Sequence, residues 1–124
     1  MPVRTARMLI LTDAKSGRIL LEKRPPSGIW GGLWSLPEVE VEESVEHVCL
    51  QRWGLNALDK EDCDSFRHTF SHYHLDITPC QVRVRLSDAG IRDINEITWC
   101  AASDAGQHAL AAPIARIISR YAET

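Results

Sequence analysis

The sequence predicts an α/β (α+β) sandwich, in which helices cover the faces of a mixed, mostly antiparallel sheet. Three observations carry this prediction: short apolar runs recur along the chain, one run alternates with arginines, and two segments have helical spacing. The 124 residues are 44% hydrophobic and 25% charged, a balance that suits one globular domain. We therefore expect residues 1–124 to form a single domain with one core.

The first 24 residues predict a β-hairpin. Residues 8–11 are apolar without interruption and lie inside a predicted strand over residues 5–12. An antiparallel partner, which alternates only in part, is predicted over residues 18–24. The residues between them, 13–17, contain Asp, Ser and Gly, which supply the local hydrogen bonds and the positive φ that a tight turn needs.

Residues 25–37 form the most irregular segment of the chain. Pro25 and Pro26 remove two backbone donors and three glycines loosen the backbone, so no regular element is predicted. Trp30 and Trp34 nevertheless make the segment too apolar for a solvated loop. We expect both tryptophans to pack over the glycine-rich loop, and contact with another domain is the alternative.

Two helices are predicted, one in the middle of the chain and one near its end. The first covers about residues 44–53, follows an acidic stretch and ends at Gly54. The second begins around Pro113, because proline is favoured in a first helical turn. The apolar face of the first helix comprises Val41, Val45, Val48 and Cys49, and that of the second Ile114, Ile117, Ile118 and Tyr121.

The segment between the helices predicts further strands. A charged loop over residues 59–64 leads into two strands joined at Phe70-Ser71-His72, which we expect at an edge or rim of the sheet. Residues 81–86 alternate apolar and charged side chains, as a strand with one solvated face does. After a loop at residues 87–90, the last strand covers residues 94–100.

The charge and the cysteines exclude several classes of function. With 14 Lys and Arg against 17 Asp and Glu, the net charge is −3, so this chain alone is not expected to bind DNA strongly. Arg83 and Arg85 are expected on a solvated strand face, and a DNA-facing surface is the alternative. The four cysteines contain no C-x-x-C pair, which argues against a zinc knuckle or an iron–sulfur cluster within the chain. We expect reduced, mostly buried thiols, and no signal peptide or membrane span is recognisable.

Two segments carry a resemblance to a known family. Trp30-Gly31-Gly32-Leu33-Trp34 and Phe70-Ser71-His72 resemble the C-terminal domain of the MutY-type (A/G-specific) adenine DNA glycosylases. The resemblance extends over nearly the whole chain, from residue 18 to residue 116, and implies a Nudix-like fold. It also implies a lesion-recognition domain of base-excision repair, which reads 8-oxoguanine opposite a mispaired adenine. In the family, Phe70, Ser71 and His72 correspond to the loop that contacts the lesion.

The resemblance further implies what lies outside this chain. In that family, base excision belongs to an N-terminal helical domain with a catalytic carboxylate and a [4Fe–4S] cluster held by four cysteines. We therefore expect no catalytic residue, metal or cofactor in residues 1–124. The expected partners are duplex DNA containing 8-oxoguanine opposite adenine and the glycosylase catalytic domain. We expect a cytoplasmic monomer without membrane contact, which in a bacterium would associate with the nucleoid.

A Nudix hydrolase needs glutamates on one helix, because Mg²⁺ on a diphosphate requires a fixed array of hard oxygen ligands. The family box reads G-x5-E-x7-R-E-U-x-E-E-x-G-U, with U an aliphatic residue. When its final glycine is placed at Gly54, its four glutamates fall on Val39, Val48, Gln51 and Arg52. The glutamates between residues 38 and 46 are out of register and are expected to form a solvated helix entrance. We therefore expect no diphosphate hydrolysis.

The chemistry of Ser71 fits the reading of an oxidised guanine. Oxidation replaces the N7 acceptor of guanine with an N–H donor and adds a carbonyl oxygen at C8. The Ser71 hydroxyl can accept or donate, so on its own it satisfies either base. Discrimination requires a second bond, in which Ser71 accepts from N7–H while a loop backbone N–H donates to O8. With guanine, one hydrogen-bonding group of the site has no partner, which costs about 1–3 kcal/mol.

The histidines and Phe70 have structural alternatives. Phe70 either anchors the loop in the core or contacts a base, and His72 either approaches a phosphate or braces the loop. His68 and His74 share strand parity with His72, which makes a metal site the alternative to the expected structural role.

Two other classes of function compete with lesion recognition. A free-standing Nudix hydrolase of oxidised nucleotides is disfavoured by the missing glutamates. A protein-interaction module is indicated only by Trp30 and Trp34.

Overall fold

The computed structural model describes residues 1–88 and 95–122. Over those residues the chain forms eight β-strands, two α-helices and one 3-10 helix. The strands are β1 (Val3–Asp13), β2 (Ile19–Lys23), β3 (Trp34–Ser35), β4 (Glu38–Val39), β5 (Leu55–Asp62), β6 (Phe66–Thr69), β7 (His74–Leu86) and β8 (Ile97–Cys100). The helices are α1 (Val45–Trp53), the 3-10 helix (Ala102–Gln107) and α2 (Ala112–Tyr121).

The strands described here belong to one mixed sheet. Its central path runs β3-β2-β1-β7-β5, while β4 pairs with β1, β6 with β7 and β8 with β2. The β1–β7 pair is parallel, and each of the other pairs is antiparallel. The predicted fold class, a mixed and mostly antiparallel sheet flanked by helices, is confirmed.

The sheet separates two apolar layers, and β1 contributes to both. Met8 and Ile10 pack in the layer beneath α2, whereas Leu9 and Leu11 pack in the layer beneath α1. This arrangement explains the uninterrupted apolar run at residues 8–11, because a central strand covered on both faces has no solvated side. The core therefore has two layers, not the single core expected from the length of the chain.

Both predicted helices are confirmed, and their ends follow from local chemistry. α1 begins after Ser44, whose hydroxyl accepts a hydrogen bond from the His47 N–H at 3.2 Å. It ends at Gly54, whose φ of 63° lies in the left-handed region that favours glycine. α2 carries Pro113 in its first turn. Val41 was expected on the apolar face of the first helix, but it precedes α1 and is 41% exposed.

The predicted charged loop over residues 59–64 is wrong in its first part, because residues 59–62 belong to β5. This strand pairs with β7 from Leu55 opposite Leu86 to Asp62 opposite Cys80. Residues 58–62 are all exposed, since the strand lies at the end of the sheet path. An edge strand tolerates charged side chains, so the sequence here lacks the apolar alternation that marks a half-buried strand.

Strand β7 changes its antiparallel partner halfway along its 13 residues. β6 pairs with residues 74–77 and β5 with residues 80–86. Pro79, which lacks an N–H, lies between the two sets, where neither antiparallel neighbour pairs with it. Its carbonyl accepts a hydrogen bond from the Cys63 N–H at 2.8 Å. The β6–β7 hairpin is therefore a separate unit at one end of the sheet.

The cysteines are free, and three of the four are buried. Burial raises the pKa of the Cys49 and Cys80 thiols to about 12, so both stay protonated at neutral pH. The predicted burial of most thiols is confirmed.

Parts of two predictions lie outside the described residues. These parts are Ala89 and Gly90 of the predicted loop and Ile94 of the predicted last strand. The observed strand, β8, begins at Ile97. Among the helices of the described ranges, none is long and apolar enough to cross a membrane.

Candidate nucleic-acid interface

The two unusual segments of the sequence meet in the folded chain. Trp30, from the segment between β2 and β3, lies against His68 and Phe70, with ring centroids 6.0 and 5.8 Å away. His68 and Phe70 are 4.7 Å apart and nearly perpendicular, and Phe70 stacks on Tyr73 at 4.8 Å. We call these four side chains the aromatic cluster. Through Trp30, Phe70 and Tyr73 it packs against the apolar layer beneath α2.

Hydrogen bonds within the 25–33 loop hold Trp30 in place. The Gly32 N–H donates to the Pro25 carbonyl at 3.0 Å, and Arg24 Nε donates to the Ile29 carbonyl at 2.9 Å. Trp30 has a φ of 52°, the only positive value among the described residues other than glycine. That conformation costs an L-residue roughly 1–2 kcal/mol. The surrounding loop therefore specifies where this indole lies against the hairpin.

Ser71 and His72 form the exposed tip of the β6–β7 hairpin. The Phe70 N–H donates to the Tyr73 carbonyl at 2.9 Å, and neither tip residue has a positive φ. Two-residue hairpin turns favour left-handed conformations, so packing of the aromatic cluster, and not turn chemistry, holds this tip. Within the described part of the chain, the backbone N–H groups of Ser71 and His72 have no hydrogen-bond partner. They remain available as donors.

The three predicted site residues therefore have different environments. Phe70 is half-buried in the aromatic cluster, which is the anchoring alternative, whereas Ser71 and His72 are exposed. A hydroxyl, an imidazole and two backbone donors at one tip can present a donor and an acceptor together to the edge of a base. Arg4 adds a positive charge beside the tip, since its guanidinium lies 5.6 Å from the centre of the Tyr73 ring.

The prediction that His68, His72 and His74 share one face of the strands is wrong. The register pairs His68 with Leu75 and Thr69 with His74, so His74 lies on the opposite face of the hairpin from His68. His74 Nδ1 instead lies 2.9 Å from the Thr69 hydroxyl. The alternation of a strand does not continue through a turn, which is why counting along the sequence failed. Among the residues that the structure describes, no group of three or more His, Cys, Asp or Glu is placed to hold a metal ion.

An ion pair occupies the part of α1 where a hydrolase would hold its metal. Arg52 Nη2 lies 2.5 Å from Oε2 of Glu22 on β2, and their side chains are only 25% and 14% exposed. Val39 and Val48 are buried in the layer beneath α1, and Gln51 is exposed. These four box positions therefore offer no carboxylate to a divalent cation. Glu40, Glu42, Glu43 and Glu46 are exposed around the start of α1, as predicted. For Glu38 the prediction is wrong, because this residue is half-buried on β4 with Oε1 3.4 Å from Arg24 Nη1.

Trp34 packs over the fold on the other side of the 25–33 loop, so both tryptophans behave as predicted. Its ring meets His108 edge-on at 5.6 Å, and Lys23 Nζ lies 5.9 Å from the ring centre. Sequence reasoning missed the stacking of Tyr73 on Phe70 and the Glu22–Arg52 pair. The aromatic composition of residues 66–77 signals the first of these, but no local pattern links two residues 30 positions apart.

The sequence and the fold both match known proteins. A profile of the NUDIX domain matches residues 7–120. The chain belongs to the NUDIX domain family. Adenine DNA glycosylase of Mus musculus is 38% identical over 65 residues, which are 46% of this chain and 13% of the mouse protein. The resemblance to the MutY-type glycosylases is thereby confirmed, although the match covers only a small part of that relative.

Solved structures of two kinds share the NUDIX fold. The C-terminal domain of mouse MUTYH, solved in complex with human PCNA, has a TM-score of 0.70 at 21% identity, covering 94% of this chain and 86% of that one. A MutT NUDIX hydrolase from Burkholderia pseudomallei has a TM-score of 0.71 at 20% identity, covering 98% of this chain and 99% of that one. Because the two scores are nearly equal, the fold alone does not separate a recognition domain from a hydrolase.

The position of Trp30 depends on Gly31, and this dependence can be tested. A Cβ on Gly31 would lie 2.5 Å from the Pro26 carbonyl oxygen and 2.9 Å from its carbon, both backbone atoms. Gly31→Ala should therefore shift the loop and lower the free energy of unfolding by roughly 1–3 kcal/mol, measured by denaturant titration. The amide NMR signals of residues 70–73 should move as well, because Trp30 packs on Phe70.

The matched control is Gly106→Ala. A Cβ on Gly106 meets nothing within 4 Å, so this variant should unfold as the wild type does, or at slightly higher denaturant. Unchanged hairpin signals in Gly31→Ala would show that the tip does not depend on the tryptophan loop.

Proposed function

We propose that this chain is the lesion-recognition domain of an adenine DNA glycosylase and reads 8-oxoguanine opposite a mispaired adenine. The observation that carries the proposal is the hairpin tip. Ser71 and His72 are exposed there, and their two backbone N–H groups have no partner among the described residues. The aromatic cluster packs beneath them and supports the tip. The match to mouse Adenine DNA glycosylase supports the proposal that this chain is part of such a glycosylase.

The tip supplies both bonds that separate 8-oxoguanine from guanine. The Ser71 hydroxyl accepts from N7–H of the oxidised base, and a backbone N–H of Ser71 or His72 donates to O8. With plain guanine, N7 accepts a hydrogen bond from the Ser71 hydroxyl instead, and the backbone donor has no acceptor. A donor left unmet in a closed interface costs about 1–3 kcal/mol, which is a preference of roughly tenfold to a hundredfold.

In this proposal the chain contributes the preference for 8-oxoguanine, and it does not break the glycosidic bond. Excision of adenine requires a carboxylate beside an electron-poor sugar, and the tip residues Phe70, Ser71 and His72 carry none. Excision, and the [4Fe–4S] cluster of the MutY-type glycosylases, then belong to a separate catalytic domain that works with this chain. Arg4, beside the tip, provides a positive charge that meets a DNA phosphate, and the His72 imidazole approaches the same backbone.

Substitution of Ser71 tests the proposal in the full-length glycosylase. Ser71→Ala should reduce the preference for 8-oxoguanine over guanine by about 1–2 kcal/mol, or roughly tenfold, because one of two bonds is lost. The measurement is single-turnover excision of adenine opposite each base. Replacing Ser71 and His72 together should cost more, and not additively, since the two residues share one turn.

Ser103→Ala is the matched control, because Ser103 is an exposed serine in the 3-10 helix, away from the hairpin. It should leave both excision rates unchanged. If Ser71→Ala slowed excision opposite 8-oxoguanine and guanine by the same factor, the tip would be only a structural brace and the proposal would be wrong.

A nucleotide hydrolase is the second candidate, favoured by the fold shared with the MutT hydrolase. The Glu22–Arg52 pair argues against it, because a guanidinium occupies a box position whose task is to hold a cation. We expect no release of pyrophosphate or phosphate from 8-oxo-dGTP with Mg²⁺, under conditions in which a MutT hydrolase is active. Turnover that depends on the metal and stops on addition of a chelator would establish the hydrolase instead.

A further inference from the structure

A groove of 340 Å³ lies between the start of β6 and the second half of α2. Its lining combines apolar and cationic side chains in equal number, with Asp64 and Ser65 beside them. The apolar side chains are Phe66, Ile117 and Tyr121, and the cationic ones are Arg67, Arg116 and Arg120.

The three arginines differ in how their charges are balanced. Arg67 is held by Asp76, with Nε 2.7 Å from Oδ1 and Nη2 3.1 Å from Oδ2, and this pair raises the pKa of Arg67 and lowers that of Asp76. Arg116 and Arg120 have no ion-pair partner within residues 1–88 and 95–122. They are exposed and four positions apart on α2, a helix that contains no acidic residue. Two arginines that have no ion-pair partner among the described residues therefore line the groove.

We propose that this groove binds phosphates of the DNA backbone through Arg116 and Arg120, and so positions the hairpin tip along the duplex. The inference rests on the proposed function, because it takes duplex DNA as the ligand. The net charge of the chain is −3, but these two arginines concentrate positive charge at the groove. A local positive charge of this kind attracts an anion. The planar guanidinium also suits two parallel bonds to one phosphate.

Strand β6 links the groove to the tip at a length that fits one duplex. Arg67, at the groove, precedes Ser71 by four residues, which span about 13 Å at roughly 3.3 Å per residue. Successive phosphates of one DNA strand are separated by about 3.4 Å along the helix axis. When β6 lies along the duplex axis, the groove meets phosphates about four base steps from the nucleobase at the tip. The apolar lining can pack against the deoxyribose between them, which an acidic peptide does not offer.

The test uses this chain and a duplex without the lesion, so that it does not depend on reading 8-oxoguanine. Binding to a labelled duplex containing a guanine–adenine mispair is measured by fluorescence anisotropy over about 25 to 200 mM salt. Arg116→Gln with Arg120→Gln should weaken binding and lower the slope of log K against log salt by about two, because each lost phosphate contact removes about 0.9.

Lys15→Gln with Arg18→Gln is the charge-matched control. Both residues are exposed around the β1–β2 turn, at the end of β1 opposite to the one that lies beside the hairpin. This variant changes the net charge by the same amount and should leave the slope as in the wild type. An equal fall in slope for both pairs would mean that only net charge matters, and the proposal would be overturned.

Three further results would overturn it. One is an unchanged slope in the Arg116/Arg120 variant, and another is a wild type that shows no salt-dependent binding at the lowest salt. The third is binding of a polyglutamate peptide that the Arg116/Arg120 variant loses while its DNA slope stays unchanged, which would make the groove a protein-docking site. The lesion-reading proposal would survive each of these results if Ser71→Ala still reduced the preference for 8-oxoguanine.

Discussion

The parallel pairing of β1 with β7 is the constraint on which the rest of this structure depends. It runs from Val3 beside His74 to Asp13 beside Val84 and joins the two halves of the sheet. Both faces of the pair are covered, which divides the core into a layer beneath α1 and a layer beneath α2. The same register puts the start of β1 next to the β6–β7 hairpin, where the His74 N–H donates to the Pro2 carbonyl at 2.9 Å. The position of the tip thus follows from the central pair of strands.

In this fold, the exposed polar groups of the hairpin tip lie apart from the positions at which a Nudix hydrolase would bind its metal. A Nudix hydrolase needs carboxylates at its box positions, whereas this chain has the buried Val39 on β4, the buried Val48 on α1, and Arg52 paired with Glu22. This half-buried pair connects α1 to β2. Exposed backbone N–H groups without a partner among the described residues lie instead at Ser71 and His72. The NUDIX fold is therefore present here without a carboxylate at any of the four box positions.

The sequence predicts the elements with strong local signals and fails where tertiary context decides. The apolar run at residues 8–11, the helical spacing of Val45, Val48 and Cys49, and Gly54 were sufficient to locate β1 and α1. Strand β5 was missed, since an edge strand can carry Asp59, Lys60, Glu61 and Asp62 without an apolar alternation. Residues 70–72 were predicted to join two strands at an edge or rim of the sheet, and Ser71 and His72 are exposed there, whereas Phe70 is half-buried. What holds the tip was not predictable, because Trp30 reaches His68 and Phe70 only through a positive φ and a folded loop. The faces of His68 and His74 were misjudged because parity does not pass through a turn.

The central claim is that the hairpin tip senses the oxidised base, and amide NMR of the labelled chain at low salt tests it most directly. The chain is saturated in turn with two duplexes that differ only in 8-oxoguanine or guanine opposite adenine. The account predicts that the amide signals of residues 70–73 differ between the two complexes, since a backbone N–H there gains or loses a bond to O8. Signals of α1, on the other layer of the core, should be the same in both. Identical signals from residues 70–73 in the two complexes would contradict the account, whatever the affinity of either duplex.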